Sequence, residues 1–353
     1  MTTPYVLGND LGALLAEIPG ILGFYPTDSL VVLGLVHEEG TRHRIGPVVR
    51  CDLDADAVRE TAAAIETLDL HAHFVVLVTP TLTDDHVNLL DLLPEVSAAW
   101  HTAEILTDDP VMMVRHDPDL APNTVAAWQT TTVGPVHVAN STRALLARGG
   151  HLSLTREAVV TPYAFAPKLM PDELGEKITE LVEFYSRSLA YAEAAGGLNQ
   201  ETADMISGLR YRIASEPNGD DQPSWPEMIT ADADLYARVR TCLSGDYPAA
   251  RDLLIGEALD YPRAMRPVLK MLARTCISPT ERANAFCLLA MIDHDSGPGT
   301  DAGLLLQLAR EADDSHHLTV LLTESLGLGK ITHVIAVVRR GVDAARNDVG
   351  LLS

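Results

Sequence analysis

The 353-residue sequence predicts an α/β or α+β domain, a mixed sheet flanked by helices, followed by an all-helical region of stacked helical hairpins. Three observations carry the prediction. Up to Pro167, short β-branched runs alternate with helix-forming segments, the pattern of a sheet covered by helices. Beyond Pro167, apolar residues recur at helical spacing almost without a break. The length also exceeds one typical core of ~100 to 200 residues, so two domains are expected. The expected divisions are an α/β domain over 1–167, connecting helices over 168–215, an exposed loop or linker over 216–227 and a helical array over 228–353.

Asn9 is placed to cap a short helix through Glu17, which Pro19 should stop. The neck Ile18 to Leu35, IPGILGFYPTDSLVVLGL, then leads into a strand over Ser29–His37. Glu38-Glu39-Gly40-Thr41 reads as a hairpin tip, with the returning strand running from Arg42 to Leu53. Asp54 should cap a helix to about Leu68, and Phe74 to Thr79 has the continuous β-branched composition of a central strand. Asp84 to Trp100 reads as helix, kinked or divided at Pro94. Further short strands are expected at Ala103–Leu106, Val111–Arg115, Trp128–Thr132 and Val136–Val138, then a helix from Ser141 to Arg148 stopped by Gly149-Gly150.

In the second half, Leu174, Ile178, Leu181, Tyr185 and Leu189 mark one face of a helix over Pro171–Ala195, and a second spans Gln200–Ala214. Glu216 to Glu227, EPNGDDQPSWPE, is the clearest loop. Helix starts then recur near Ala231, Pro248, Pro262, Pro279, Asp301, Ser315 and Ile331. A pair of such helices fills about the 34 residues of a tetratricopeptide-like unit, without that repeat's signature.

Composition narrows the function classes. With 49 acidic against 26 basic residues the net charge is −23, which repels phosphate backbones and anionic membranes over any broad face. Nucleic-acid and membrane partners are therefore not expected, and no apolar run approaches the ~18 residues of a membrane span. Cys51, Cys242, Cys276 and Cys287 form no Cys-x-x-Cys pair, so reduced, buried thiols and a cytoplasmic location are expected.

The motifs favour structural roles. Gly20 and Gly23 follow a helix and precede a strand, the reverse of the order in a phosphate-cradling loop, so the neck is read as a bend. Tyr25, Thr27, Asp28 and Ser29 still form a compact polar group at a strand entrance and are the ligand-binding candidates. Asp52, Asp54 and Asp56 imitate the start of a calcium loop, but Ala57 and Ala63 occupy the positions that need glycine and glutamate. The histidine groups around His71 and His73, His86, His294, and His316 with His317 match no metal signature. No Gly-x-Ser-x-Gly elbow or Ser-x-x-Lys occurs. No metal and no cofactor are expected, and catalytic residues stay unassigned.

At the C-terminus Ile331, Ile335, Val338, Val342, Ala345 and Val349 draw an apolar stripe of about two and a half heptads. Docking on the same helical domain is the favoured role for so short a stripe, with Ile331, Ile335, Val338, Val342 and Val349 as the interface candidates if it pairs with another subunit.

Ile18-Pro19, Leu22-Gly23-Phe24-x-Pro26 and Ser29-Leu30-Val31 together resemble the hallmark of the actinobacterial domain-of-unknown-function 4192 family. Two looser blocks are similar as well: Ser141 to Pro167, with Leu154-Thr155-Arg156-Glu157, and Ala290 to Leu322, with Ala312-Asp313-Asp314. The resemblance implies a shared fold and lineage and brings no catalytic residues. The expectation is a non-enzymatic cytoplasmic protein-binding or assembly protein that uses its helical array and self-associates, for instance as a homodimer. The alternatives are a small-ligand sensor or enzyme with a pocket near Tyr25 to Ser29, and a metal site built from separated histidines.

Overall fold

The computed structural model describes residues 10–37, 43–68, 70–147, 150–214, 232–295 and 302–351. The hairpin tip at 38–41, Gly149 and the loop at 216–227 lie outside the described residues. The chain forms two compact units, Met1–Pro162 with Gly327–Gly329, and Tyr163–Leu326 with Lys330–Ser353.

In the first unit, helix α1 (Leu11–Leu22) precedes strands β1 (Ser29–His37) and β2 (His43–Asp52), then come α2 (Ala55–Glu66) and β3 (Ala72–Val78). A short helix α3 (Asp84–Asn88) and a 3-10 turn lead to β4 (Ala98–Thr102) and β5 (Pro110–His116). Helix α4 (Pro122–Trp128), β6 (Thr130–Thr132), α5 (Asn140–Ala147) and α6 (Arg156–Val160) complete it. The sheet is mixed, in the order β2-β1-β3-β4-β5-β6, with β3 and β4 parallel and every other pair antiparallel.

Both faces of the central strands are covered, which is why they read as continuous apolar runs. Val31, Leu33, Phe74, Val76 and Trp100 pack with Leu14, Leu15 and Ile18 of α1. On the opposite face Leu30, Val32, Val75 and Leu77 pack with Val58, Ala62 and Ile65 of α2 and with Leu90. The outer strand β2 carries Pro47, a residue that blunts an exposed edge.

Helix α1 corrects the expectation that Pro19 ends it. The helix runs three residues further, its cap is Asp10, which accepts the Ala13 N–H at 3.1 Å, and its stop is Gly23 at φ +79°. Proline forfeits one backbone hydrogen bond and crowds the preceding turn, a cost of about 3 kcal/mol. Burial of Leu11, Leu14, Leu15 and Ile18 against the sheet offsets it at about 1.5 to 3 kcal/mol per side chain.

Four more expectations are corrected. Ala98–Trp100 is strand, because Pro94 follows the 3-10 turn Leu89–Leu92 and the next residues pair with β3. Trp100 is fully buried, donates Nε1–H to Trp128 O at 3.1 Å and meets the rings of Phe74 and Trp128 edge-on. Ala103–Leu106 is loop and Val136–Val138 a single 3-10 turn, and Trp128 ends a helix, leaving only Thr130–Thr132 in the sheet. Runs of three or four apolar residues carry too little periodicity to separate strand from turn.

One contact sets the spacing between α1 and α5. Glu17, 8% exposed, accepts the backbone N–H of Asn140 at 3.1 Å and of Ser141 at 2.7 Å, and Ser141 Oγ donates to Glu17 O at 2.7 Å. A carboxylate from α1 thereby satisfies the free donors at the start of α5. The approach is so close that a Cβ on Gly20 would sit 2.2 Å from Thr142 N and 2.6 Å from Ser141 C.

The second unit is all-helical. Its described helices are α7 (Asp172–Ala194), α8 (Leu198–Ala214), α9 (Ala233–Leu243), α10 (Pro248–Asp260), α11 (Pro262–Thr275), α12 (Pro279–Asp295), α13 (Ala302–Ala312), α14 (His317–Gly327) and α15 (Ile331–Asp348). Pro248 and Pro262 occupy first helical positions, where a missing N–H costs nothing. Helix α12 is buried nearly all round, from Ala283 to Asp293, and packs between α11 and α13.

Helix α15 folds back onto α10 and α12. Its stripe seats Ile331, Ile335 and Val342 in the core, with Val338 and Val349 half-buried. Glu257 of α10, fully buried, accepts both Nε and Nη2 of Arg210 at 2.8 Å, and Nη2 of Arg346 at 2.8 Å. Arg346 Nη2 also reaches Asp260 at 2.7 Å. Gly256 leaves the room: a Cβ there would lie 2.3 Å from Val342 Cγ1 and 2.8 Å from Arg346 Nη2.

Gly20→Ala should lower the urea midpoint, destabilising by about 1 to 3 kcal/mol or more, because backbone rather than a side chain must move. Glu257→Ala removes the buried anion shared by Arg210 and Arg346, leaving Arg346 to Asp260, and should cost about 3 kcal/mol in the same denaturation measurement, with Glu257→Gln milder.

Candidate functional site

The polar group at the strand entrance lies where β1 begins and the parallel strands β3 and β4 end. Ser29 pairs with Val78 on one side and Asp52 on the other, and Val78 lies beside Thr102. The carboxyl end of parallel strands is where open α/β sheets bind ligands.

Ser29 is buried, donates Oγ–H to Thr27 O at 2.7 Å and accepts Arg50 Nε–H at 2.7 Å. Arg50 Nη1 meets Asp52 Oδ1 at 2.6 Å. Asp28 is exposed, has the left-handed φ of +43°, and accepts Thr79 Oγ1–H at 3.1 Å. His101 Nε2 lies 2.9 Å from Thr79 O. The left-handed backbone, uncommon outside glycine, is tolerated best by aspartate and asparagine.

Among the four candidates, Asp28 and Ser29 join this cluster, Thr27 contributes its carbonyl, and Tyr25 does not join. The Tyr25 ring packs against the α1 side of the sheet, and its N–H donates to Ser153 O at 3.2 Å. Arg50, Thr79 and His101 complete the cluster from positions 21 to 73 residues distant. No local spacing links them, so only strand pairing brings them in. Chemically the edge offers an exposed carboxylate beside hydroxyl and imidazole groups, with the neighbouring guanidinium already paired.

The other motifs take structural roles. Asp54 Oδ1 caps α2 by accepting the N–H of Asp56 and Ala57, and Asp56 pairs with Arg59 at 2.6 Å. His73 hydrogen-bonds Pro94 O, His294 lies 2.8 Å from Thr332 Oγ1 and His316 Nδ1 lies 2.9 Å from Thr319 Oγ1. Burial lowers the pKa of all three. Among the described residues no group of three or more His, Cys, Asp and Glu side chains is placed to hold a metal ion.

All four cysteines are free and buried. Burial pushes the Cys242, Cys276 and Cys287 thiols up to about 12, and Cys276 donates to Glu281 Oε2 at 2.6 Å. A thiol held protonated is a poor nucleophile. Helix α7 exposes two aromatic rings, and Tyr211 of α8 is exposed as well. Phe184 is 57% and Tyr191 79% exposed, while Ile178, Tyr185 and Leu189 on its other side are buried.

Labelling with a thiol reagent at pH 8 should leave Cys242, Cys276 and Cys287 unmodified in the folded protein and modify them once denaturant is added. Rapid labelling of any of the three in the native state, read by mass spectrometry, would contradict their burial.

No helix among the described residues is long and apolar enough to cross a membrane. No curated protein and no solved structure matches the chain. The model of the domain of unknown function DUF4192 matches residues 12–330, from the first turn of α1 to the start of α15, and the chain belongs to that family.

Proposed function

We propose that the protein is a non-enzymatic protein-binding or assembly protein of the cytoplasm, with α7 of the helical unit as its partner surface. The carrying observation is the pair Phe184 and Tyr191, 57% and 79% exposed. They are seven residues apart and so lie nearly one above the other on the helix. Rigid aromatic side chains of this kind dominate the energetics of protein interfaces. Phe184 is held in place by the Tyr185 ring, centroids 5.4 Å apart. Tyr185 is itself braced by the Arg238 guanidinium 4.5 Å above it. The anchor is thus preorganised, which reduces the entropy lost on binding. Self-association through this face is part of the reading, and it calls for no cofactor.

A second reading, a small ligand at the β3 and β4 carboxyl edge, is favoured by one observation. Asp28 projects an exposed carboxylate from a left-handed backbone position there.

One experiment separates the two. Tagged wild-type protein, Phe184→Ser/Tyr191→Ser and Asp28→Asn are compared for oligomer mass by light scattering and for proteins retained from the native host. The double serine variant should lose the retained partner or the higher mass, and Asp28→Asn should keep both. Unchanged mass and partners in the double variant would sink the α7 reading.

A further inference from the structure

Helix α11 concentrates positive charge in an acidic chain. Its 14 residues, PRAMRPVLKMLART, hold Arg263, Arg266, Lys270 and Arg274 and no acid, although the chain carries 49 acidic and 26 basic residues. Spacings of three and four place all four cations on one face, opposite the buried Met265, Leu269 and Leu272. Arg266 has a partner, Asp293, at 3.5 Å.

The other end of the stripe is built differently. Arg282 of α12 reaches across, donating Nε–H to Ala273 O at 3.1 Å with its guanidinium 4.2 Å above the Phe165 ring. Lys270 Nζ lies 4.7 Å above the Tyr163 ring. The segment carrying both rings is tied down by the Ala166 N–H, which donates to Arg274 O at 2.7 Å. Arg274 Nε is buried with no hydrogen-bond partner among the described residues. Glu281, the acid nearest in sequence, is engaged by Arg240 Nε at 2.8 Å and by the Cys276 thiol.

The negative end of the α11 dipole favours cations here, but the Ala273 and Arg274 carbonyls at that end are already engaged by Arg282 and the Ala166 N–H, and Arg274 Nε finds no acceptor among the described residues. Burial also lowers the pKa of Arg282, the sense expected of a cation short of a counter-anion. We propose that Arg274 and Arg282, with Lys270 one turn away, form a binding site for the phosphate group of a small molecule. Two forked guanidiniums match the several oxygens of a phosphate dianion, and the added ammonium suits its double charge better than the single charge of a carboxylate. This inference is independent of the reading of α7 and uses residues of the helical unit alone.

Inorganic phosphate titrated into the full-length protein at low ionic strength, followed by calorimetry, tests the site, with glutarate titrated in parallel. Wild-type protein should bind phosphate saturably at one site, more tightly than glutarate. Arg274→Gln and Arg282→Gln should each weaken binding about tenfold. Arg263→Gln removes the same charge from the far end of the helix and should leave the affinity unchanged. Should a glutamine variant fail to fold, Arg274→Lys and Arg282→Lys keep the charge but lose the fork, and should still bind more weakly than wild type. The proposal is overturned by absence of saturable phosphate binding, by glutarate binding as tightly, by equal weakening in Arg263→Gln, or by undiminished affinity in both lysine variants.

Discussion

The first unit depends on a carboxylate supplied by one helix to the start of another. Glu17 accepts two backbone N–H groups at the head of α5, donors that the eight-residue helix cannot satisfy internally. Burying a carboxylate is costly unless it is fully hydrogen-bonded, and this geometry meets that condition. From it follows the composition of the neck. Gly20 must lack a side chain because α5 backbone passes within bonding range. Gly12 faces a similar restriction, with Thr132 O 2.3 Å from where its Cβ would be. Gly23 closes the helix in the left-handed region. Helix α1 is a docking surface for α5 and β6, and in turn roofs one face of the sheet.

The second unit also uses a buried glutamate, with guanidiniums in place of backbone donors. Glu257 is a buried anion that gathers Arg210 from α8 and Arg346 from α15 around one turn of α10. Arg339 adds Asp260 at 3.1 Å and Asp295 at 2.7 Å, so α15 is tied to α10 and to the end of α12. A buried ion cluster is a weak source of net stability but a strong penalty against any arrangement that leaves a member unpaired. The apolar stripe of Ile331, Ile335 and Val342 can slide along a greasy groove. The arginines let it bond in a single register.

These constraints explain what was legible in the sequence. Ser29–His37 was readable because an apolar run begins after turn residues and meets a charged segment, and the structure gives the same bounds. Asp54 as a cap and the prolines at 248 and 262 were readable because they act on their own helix. Pro19 misled because its local penalty is outweighed by packing that no local rule contains. Trp100 misled for the same reason: a strand held between β3 and β5 owes its conformation to partners far along the chain. The candidate edge was half legible. Asp28 and Ser29 stand out as polar groups at a strand entrance, whereas Arg50, Thr79 and His101 join them only through the register of three strands.

Net charge ties the two units into one physical picture. At −23, copies of this chain repel one another over distances set by a Debye length of about 8 Å at physiological salt. Association must therefore come from short-range contacts, and exposed rings such as Phe184 and Tyr191 act at that range. Several of the scarce bases are spent on internal acids: Arg210, Arg240, Arg339 and Arg346 each bond a carboxylate of their own unit. Arg274, whose Nε has no hydrogen-bond partner among the described residues, stands out more in an acidic chain than it would in a neutral one. The net negative charge also disfavours the approach of anions in general. An anion that reached the guanidiniums of Arg274 and Arg282 would have to be held by directed hydrogen bonds, because the field of the whole molecule opposes its approach.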